Sequence, residues 1–322
     1  MNFSVANSRA THGAVLTASA SVIWGTSFVA TSVGLRYLNP YSLVFERFLM
    51  ATLATVVLAT LRRNAGELGR GLLNPKPWLV GAIYAVGFVL QFAGQNLTDS
   101  AESALLSNLF VAFVPLTAFI LLRERITSGQ AVGVILAMTG MMLVSSPSIG
   151  LTSAPLGDAM LVGSSVCYTL FIVLSKKHQL TTLTDSFSIV ISVTVWLAPF
   201  AVLLGRFTMA DFLTGGGGLE SVLWLGLPCT VLALTLYYRG LDLVGATQSA
   251  MLLLLELVTA VMLSVGLLGE TLSLIQTIGA VSICMGVLFA GGVLNGPNAR
   301  GDAKSLLGGR AQGSNPPGIQ TR

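Results

Sequence analysis

Residues 121–140 read LLRERITSGQAVGVILAMTG, and residues 267–286 read LLGETLSLIQTIGAVSICMG. An offset of 146 positions places Glu124 on Glu270 and Gln130 on Gln276 without a gap. The same offset matches further pairs: Gly133 with Gly279, Gly140 with Gly286, Trp78 with Trp224, Gly94 with Gly240, and Ser103-Ala104 with Ser249-Ala250. The sequence therefore predicts an internal duplication that runs through most of the chain.

The composition excludes a water-soluble fold. Of the 322 residues, 53% are hydrophobic and only 9% are charged, whereas a soluble domain carries about 25% charged residues. The net charge of +4 does not indicate nucleic-acid binding, because the basic residues lie in short loops between apolar runs. Cys167, Cys229 and Cys284 lie inside apolar runs without CxxC spacing. We therefore expect small buried side chains there, and neither a metal site nor a cofactor.

Each half of the chain contains five apolar runs that are long enough to cross a membrane. A hydrocarbon core of about 30 Å needs roughly 20 apolar residues per helix, and the runs lack the alternation of barrel strands. The predicted spans are 14–35, 42–61, 77–97, 102–122 and 129–146, then 157–176, 185–205, 221–240, 247–268 and 273–293. This pattern predicts an all-α integral membrane protein with ten transmembrane helices in two inverted five-helix repeats.

The domain organisation follows from these spans. We predict a cytosolic N-terminus (1–13), a first five-helix repeat (14–146), a linker (147–156), a second five-helix repeat (157–293) and a disordered cytosolic tail (294–322). Because five is odd, the second repeat enters the membrane from the opposite side, an arrangement typical of transporters with a site between the halves.

The lysines and arginines predict the orientation, since cytoplasmic loops carry an excess of them. With the N-terminus inside, the outer side receives only Arg36 and Arg206, while Arg47 lies within span two. The inner side receives Arg9, Arg62, Arg63, Arg70, Lys76, Arg123, Arg125, Lys176, Lys177, Arg239, Arg300, Lys304, Arg310 and Arg322. Both termini are therefore predicted to be cytoplasmic, with Glu124 inside and Glu270 outside.

Several motifs carry a family resemblance. The first half opens with Ile23-Trp24-Gly25-Thr26-Ser27-Phe28, then Pro40, then Glu46-Arg47-Phe48. The two halves close with Leu121-Leu122-Arg123-Glu124-Arg125 and with Leu268-Gly269-Glu270-Thr271-Leu272, each followed by two glycines. In this order and duplication, the motifs resemble EamA-type members of the drug/metabolite transporter superfamily over residues 14 to 292. The resemblance implies ten helices, cytosolic termini, and export of amino acids or related metabolites without ATP hydrolysis.

The chain departs from the family pattern in spans four and nine. Leu257 follows Glu256 where family members usually have a proline, and Pro115 falls about four positions later than the pattern places it. A proline frees a carbonyl and kinks a helix. The sequence therefore does not predict the usual kink in span nine.

Two charged residues within the spans are candidate substrate ligands, because charge inside a membrane is costly and usually functional. Arg47 either anchors a substrate carboxylate, or pairs with Glu46 or Glu102, or extends to the outer interface. Glu46 points about 100° away from Arg47 on the helix and is expected at that interface. Glu256 either binds a proton or a substrate amine, or holds helices together.

Polar and aromatic residues complete the candidate substrate-binding set. Gln91 and Asn108 lie away from span ends and either line a cavity or join helices at about 1 kcal/mol each. Trp24 and Tyr168 occupy about equivalent places if spans one and six are matched through Ser21-Val22 and Ser165-Val166, and at the offset of 146 Tyr237 matches Gln91. These aromatic residues either form walls of the site or pack in the interior. We expect the substrate where the repeats differ, as at Gln91 and Tyr237 or at Phe110 and Glu256.

The remaining acidic and small residues favour structural roles. Glu124 and Glu270 are expected to cap or stabilise a helix end, or, for Glu124, to pair with Arg125. The glycines of spans five and ten predict close helix contacts, either within the fold or in a homodimer.

These features predict a secondary transporter of the bacterial inner membrane that exports a small metabolite by alternating access, with Glu256 as the candidate site for a coupling proton. A multidrug or nucleotide-sugar-like carrier is the nearest alternative, and import is equally allowed. The chain has no GxxxxGK[ST] loop, HExxH or GxSxG motif. An intramembrane enzyme or a non-transporting membrane protein is the alternative from another class.

Overall fold

The computed structural model describes residues 2–63, 65–95, 97, 106–145, 155–207, 218–268 and 273–290, and helices joined by turns and short loops make up this part of the chain. The helices are α1 (Asn2–Gly34), α2 (Pro40–Leu61), α3 (Ala65–Leu72), α4 (Pro75–Gln95), α5 (Phe110–Leu122), α6 (Ser128–Ser145), α7 (Pro155–Lys177), α8 (Leu183–Leu203), α9 (Leu219–Gly226), a π-helical segment (Leu227–Leu232), α10 (Ala233–Val244), α11 (Ala246–Leu253), α12 (Leu255–Leu268) and α13 (Leu274–Ala290).

Six helices in the described ranges are long and apolar enough to cross a membrane: Ala10–Thr31, Pro40–Leu61, Pro75–Gly94, Pro155–Lys177, Leu183–Leu203 and Leu219–Val244. Four shorter apolar helices accompany them, at Phe110–Leu122, Ser128–Val144, Ala246–Ala260 and Leu274–Phe289. The structure differs from the sequence prediction in the start of one helix and in the presence of another. The first helix begins at Asn2 rather than near residue 14, and α3 occupies a stretch that was predicted to be a loop.

Matched capping residues start matched helices. At the start of α6, Thr127 N–H donates to Gln130 Oε1 (2.9 Å) and Gln130 N–H donates to Thr127 Oγ1 (3.2 Å). At the start of α13, Ser273 and Gln276 exchange the same two bonds, at 3.0 and 3.2 Å. Each pair satisfies two amides that a helix start leaves free.

The helices pack mainly between the two halves of the chain. α6 packs along α13, α4 along α7, and α1 along α10, while α2 contacts α8. The main apolar core lies where these pairs meet and includes Phe48, Tyr84, Phe171 and Tyr237.

Glu124 has the structural role expected for it, on a helix other than the adjacent one. Its Oε1 accepts the backbone N–H of Ala246 (3.3 Å), and its Oε2 accepts the hydroxyl of Thr247 (3.5 Å). The carboxylate thus lies at the N-terminus of α11, where it is favoured by the helix dipole. Its repeat partner Glu270 lies outside the described residues.

Candidate functional site

A π-helical segment interrupts the helix of span eight. Pro228 cannot donate a backbone hydrogen bond and its ring clashes with the preceding turn, and the chain responds with a wider turn. Ala233 N–H donates to the carbonyl of Pro228, five positions earlier, and Thr230 Oγ1 donates to the carbonyl of Leu225 at 2.8 Å. Such π turns often occur at functional sites, and this one faces Arg47.

Arg47 is held against this π turn. Its side chain is 7% exposed, with Nε donating to Thr230 Oγ1 (2.8 Å) and Nη2 to the Cys229 carbonyl (3.3 Å). The guanidinium carbon also lies 5.6 Å from the ring centroid of Phe48 and 5.5 Å from that of Phe88. Both distances allow cation–π attraction, which strengthens where water is excluded. A charge in the apolar interior is thereby fixed in position by neutral groups.

The structure bears on one of the alternatives for Arg47. Extension to the outer interface is wrong, because the side chain is buried. Glu46 is itself only 5% exposed, so its side chain is packed within the protein, and Glu102 lies outside the described residues. Three of the five N–H donors of the guanidinium take part in neither of the bonds to Thr230 and Cys229. Such a planar fork of donors fits a carboxylate.

Trp24 and Tyr237 pack against each other beside Arg47. Trp24 Nε1 donates to the same Cys229 carbonyl at 2.6 Å, and its ring centroid lies 5.5 Å from that of Tyr237. Phe171 lies between two tyrosines, with ring centroids 6.2 Å from Tyr237 and 3.9 Å from Tyr84. The hydroxyl of Tyr237 is buried and has no hydrogen-bond partner among the described residues. This side of Arg47 is therefore aromatic, and its one unsatisfied polar group is the Tyr237 hydroxyl.

Gln91 and Tyr168 form a second group of packed side chains near Arg47. The Tyr168 hydroxyl donates a short hydrogen bond to Gln91 Oε1. The ring centroid of Tyr168 lies 5.7 Å from Tyr84 and 5.9 Å from Phe88. This approach needs a glycine on α4, because a Cβ at Gly87 would lie 2.8 Å from the Tyr168 ring. Phe88 lies beside both the Tyr168 ring and the Arg47 guanidinium, so it connects the Gln91–Tyr168 pair with Arg47.

The helix of span nine is interrupted at a single residue, Leu254, immediately before Glu256, where the sequence predicted a continuous helix over 247–268. Leu254 separates α11 from α12, and its N–H donates to the Met251 carbonyl, three positions earlier, at 3.2 Å. The freed carbonyl of Leu253 accepts the hydroxyl of Ser21 at 2.8 Å. The break is thus stabilised by α1.

Glu256 lies in the first turn of α12, where the helix dipole favours a negative charge. A Cβ at Gly25 would lie 2.7 Å from the Glu256 carbonyl, so α1 passes close to this turn. The charges of Glu256 and Arg47 interact electrostatically. Their charged atoms are not in ion-pair contact, although both residues belong to the described part of the chain. The two charged residues therefore lie near each other without direct contact.

Asn108 lies at an equivalent break in span four. A turn at Asn108–Leu109 precedes α5, and the carbonyl of Asn108 accepts the N–H of Val111 at 3.1 Å. The offset of 146 relates Asn108 to Leu254. Neither turn contains a proline, and Pro115 is buried inside α5 without interrupting it. The departure from the family proline pattern therefore does not remove these breaks.

The structure brings together six of the seven candidates, Arg47, Glu256, Trp24, Tyr237, Tyr168 and Gln91, and it places Asn108 at the break of span four. Sequence reasoning missed the hydroxyl of Thr230, the carbonyl of Cys229 and the rings of Phe48, Phe88 and Tyr84. Pro228, in the middle of an apolar span, was the available signal. No group of three metal-ligating side chains lies within the described ranges.

Comparison with known proteins identifies relatives over nearly the whole chain. The model of the EamA-like transporter family matches residues 11–146 and again residues 155–292. An uncharacterized transporter of Archaeoglobus fulgidus is 26% identical over 277 residues, which cover 82% of this chain and 93% of that protein. The uncharacterized transporter YyaM of Bacillus subtilis is 26% identical over 297 residues, covering 89% and 96%.

A solved crystal structure has the same fold, with a TM-score of 0.74 at 18% identity, over 87% of this chain and 96% of that one. Together the long apolar helices and these relatives define a multi-pass membrane transporter rather than an enzyme. The chain belongs to the EamA-like transporter family.

Proposed function

We propose that this protein is a secondary transporter that exports amino acids or related small metabolites by alternating access. The observation that supports the proposal is the buried Arg47, fixed by Thr230 and Cys229, with Glu256 near it but not in direct contact. A cation and a carboxylate that interact without touching fit the two ends of a zwitterion. The protein acts in a bacterial inner membrane with both termini in the cytoplasm.

The architecture in this proposal is ten spans in two inverted repeats. Reciprocal contacts between α6 and α13 support it: a Cβ at Gly140 would lie 2.6 Å from the Gly279 carbonyl, and a Cβ at Gly286 would lie 2.7 Å from the Gly133 carbonyl. The offset of 146 exchanges these two contacts, as a two-fold axis does. These glycines contact each other within the chain, which favours the intramolecular alternative over a homodimer.

The roles of the site residues follow from their chemistry. Arg47 binds the substrate carboxylate, and Glu256 binds the substrate amine or a coupling proton. Trp24, Tyr168 and Tyr237 form the walls of the cavity, and Gln91 and Asn108 supply polar contacts. Placing the site beside broken helices is a general device of transporters, because free backbone groups there can bind substrate and ions.

The test is counterflow into liposomes that contain the purified protein, with no ATP present. Arg47→Ala should weaken the binding of carboxylate substrates by roughly 10- to 150-fold, since a hydrogen bond to a charged group contributes about 1.5–3 kcal/mol. Arg62→Ala is the matched control, because Arg62 follows the same helix and is exposed. Chemical conversion of substrate without accumulation would reject transport.

The role of Glu256 is tested by Glu256→Gln, which keeps the size of the side chain and removes its charge. We expect loss of proton-coupled flux, or of its pH dependence, in a protein that still inserts. Glu220→Gln is the control, since Glu220 also lies in the first turn of a helix but is exposed. An unchanged pH profile of transport in Glu256→Gln would reject Glu256 as the coupling site.

A further inference from the structure

The helices α4 and α7 pack antiparallel, with a register that two glycines define. A Cβ at Gly94 would lie 2.7 Å from Leu161, and a Cβ at Gly87 would lie 2.8 Å from Tyr168. Seven positions backward along α4 thus correspond to seven positions forward along α7. Continued in the same direction, this register brings the start of α4 beside the end of α7.

Two lysines meet at this end of the helix pair. Lys76 lies in the first turn of α4, Lys177 is the last residue of α7, and both side chains are exposed. Partial burial and the charges of Lys76 and Lys177 lower the pKa of His178. Both ammonium groups therefore act on the same imidazole, as the register of the two helices requires.

The charges of these two lysines are not neutralised by the described part of the protein. No carboxylate in the described ranges forms an ion pair with either of them. Asp185, in the first turn of α8, instead accepts the N–H and the hydroxyl of Thr182 at 3.0 and 2.6 Å. The neighbouring Lys176 differs from the exposed pair, because it donates to the carbonyls of Leu241 and Asp242 at 2.9 and 2.7 Å.

A stripe of exposed apolar side chains leads away from each lysine. On α4, Leu79 and Val86 lie three and ten positions after Lys76, and they are 51% and 44% exposed. On α7, Val166 lies eleven positions before Lys177, which is about three helical turns, and it is 43% exposed. Each helix therefore presents an outer side that is apolar along the span and basic at its end.

The two stripes border each other. A Cβ at Gly163 would lie 3.3 Å from the end of the Leu90 side chain. Gly163 lies one turn before Val166 on α7, and Leu90 lies one turn after Val86 on α4. The stripes therefore form the two sides of one shallow groove on the surface of the helix pair.

The charge and shape of this groove favour a phospholipid with a net negative charge. An acyl chain can cover the apolar stripes while the phosphate lies between the two lysines. A free phosphate would leave the stripes uncovered, and a zwitterionic head group would bring a second cation to the lysines. The predicted orientation places Lys76 and Lys177 on the cytoplasmic side, where basic sites between helices bind anionic head groups.

We propose that the groove between α4 and α7 binds an anionic phospholipid, with the phosphate held by Lys76 and Lys177 and an acyl chain along the exposed stripes. This site is separate from the Arg47 site, and it does not depend on what the protein transports.

The experiment is native mass spectrometry of the full-length protein, titrated in non-ionic detergent with palmitoyl-oleoyl phosphatidylglycerol or with phosphatidylcholine of the same chains. A basic residue near an anionic lipid contributes about fivefold in affinity. We therefore expect phosphatidylglycerol to bind about 25-fold more tightly than phosphatidylcholine. The paired variant Lys76→Gln with Lys177→Gln should remove this preference and leave phosphatidylcholine binding unchanged.

The matched control is Arg36→Gln with Arg206→Gln, which removes the same net charge from two exposed residues on the side predicted to be outside. It should keep the preference. The variant Lys76→Arg with Lys177→Arg should keep it as well, because the charge is retained. Thermal unfolding in the same detergent shows whether each variant is folded.

The outcomes decide the proposal even if the glutamine pair does not fold. Equal affinity of the unaltered protein for the two lipids overturns it. Glycerol 3-phosphate that competes as well as the intact lipid makes this a phosphate site without an acyl chain, and also overturns it. An equal loss of preference in the arginine control attributes binding to overall charge, and a dimer that forms without lipid and excludes it assigns the groove to a second copy; each overturns the lipid site.

Discussion

Two regions of the molecule show the repeat differently. One is the seam, the interface between α6 and α13; the other is the pair formed by α4 and its repeat counterpart, α9–α10. Along the seam, matched glycines face each other and matched capping residues start both helices. In the other pair, Ala82 is matched by Pro228 and Gln91 by Tyr237. The first region is regular in both halves, whereas the second is regular in α4 and contains a π turn in its counterpart. Matched residues therefore hold the scaffold, and mismatched residues build the candidate site.

Among these predictions, we expect the largest effect from Gly140→Ala. It should lower the free energy of unfolding without changing the substrate selectivity. The added Cβ would lie 2.6 Å from the Gly279 carbonyl, and such overpacking costs about 1–3 kcal/mol. Gly266→Ala on α12 is the matched control, because a Cβ there has nothing within 4 Å. Unfolding in mixed detergent measures both variants. Equal losses of stability in Gly140→Ala and Gly266→Ala would show that the close contact between α6 and α13 does not stabilise the fold.

Pro228→Ala should act in the opposite manner, lowering substrate affinity in a protein that remains folded. With the N–H restored, the π turn can relax to an α-helix, and Arg47 loses its alignment with Thr230 and Cys229. We expect an effect of about 1–2 kcal/mol, or roughly five- to thirtyfold in affinity. Pro199→Ala, at an exposed proline inside α8, is the control. Unchanged affinity in Pro228→Ala would show that the π turn does not position Arg47.

Gln130→Ala and Gln276→Ala should give the smallest effects, and nearly equal ones. Each removes the side chain that accepts the N–H at its helix start, at a cost of about 0.5–1 kcal/mol. Gln276 also donates to the Val144 carbonyl at 3.5 Å, so its loss should cost slightly more. The measurement is the same unfolding assay. A large difference between the two variants would contradict equivalent roles at the two helix starts.

Much of the helical pattern was predictable, because it depends on local signals. Long apolar runs predicted most of the long helices, and the matched pairs Gln130–Gln276 and Gly140–Gly286 marked the parts that both halves need. The short helix α3 was not predicted, since Gly66, Gly69 and Gly71 disfavour an isolated helix. It forms through tertiary contact, with Leu68 packed beside Ala59 and Phe187.

The candidate site was only partly predictable. Arg47 and Glu256 stood out because charge is rare in apolar spans. The partners of Arg47 did not, because Thr230 is an ordinary polar residue and the Cys229 carbonyl exists at every position of a chain. The break at Leu254 was not predicted either, because its local sequence is a run of leucines and the carbonyl it frees is satisfied by Ser21, from the other half.

The carbonyl oxygen of Cys229 accepts hydrogen bonds from both Trp24 and Arg47, and it thereby ties α1 and α2 to the π turn. Every residue type carries a backbone carbonyl oxygen, so this acceptor is not specified by the residue at position 229. Substitution at position 229 changes the thiol but leaves this acceptor in place, so neither an alanine scan nor a sequence alignment would reveal it. The feature that the sequence must specify is the backbone conformation, and that conformation depends on the preceding residue, Pro228.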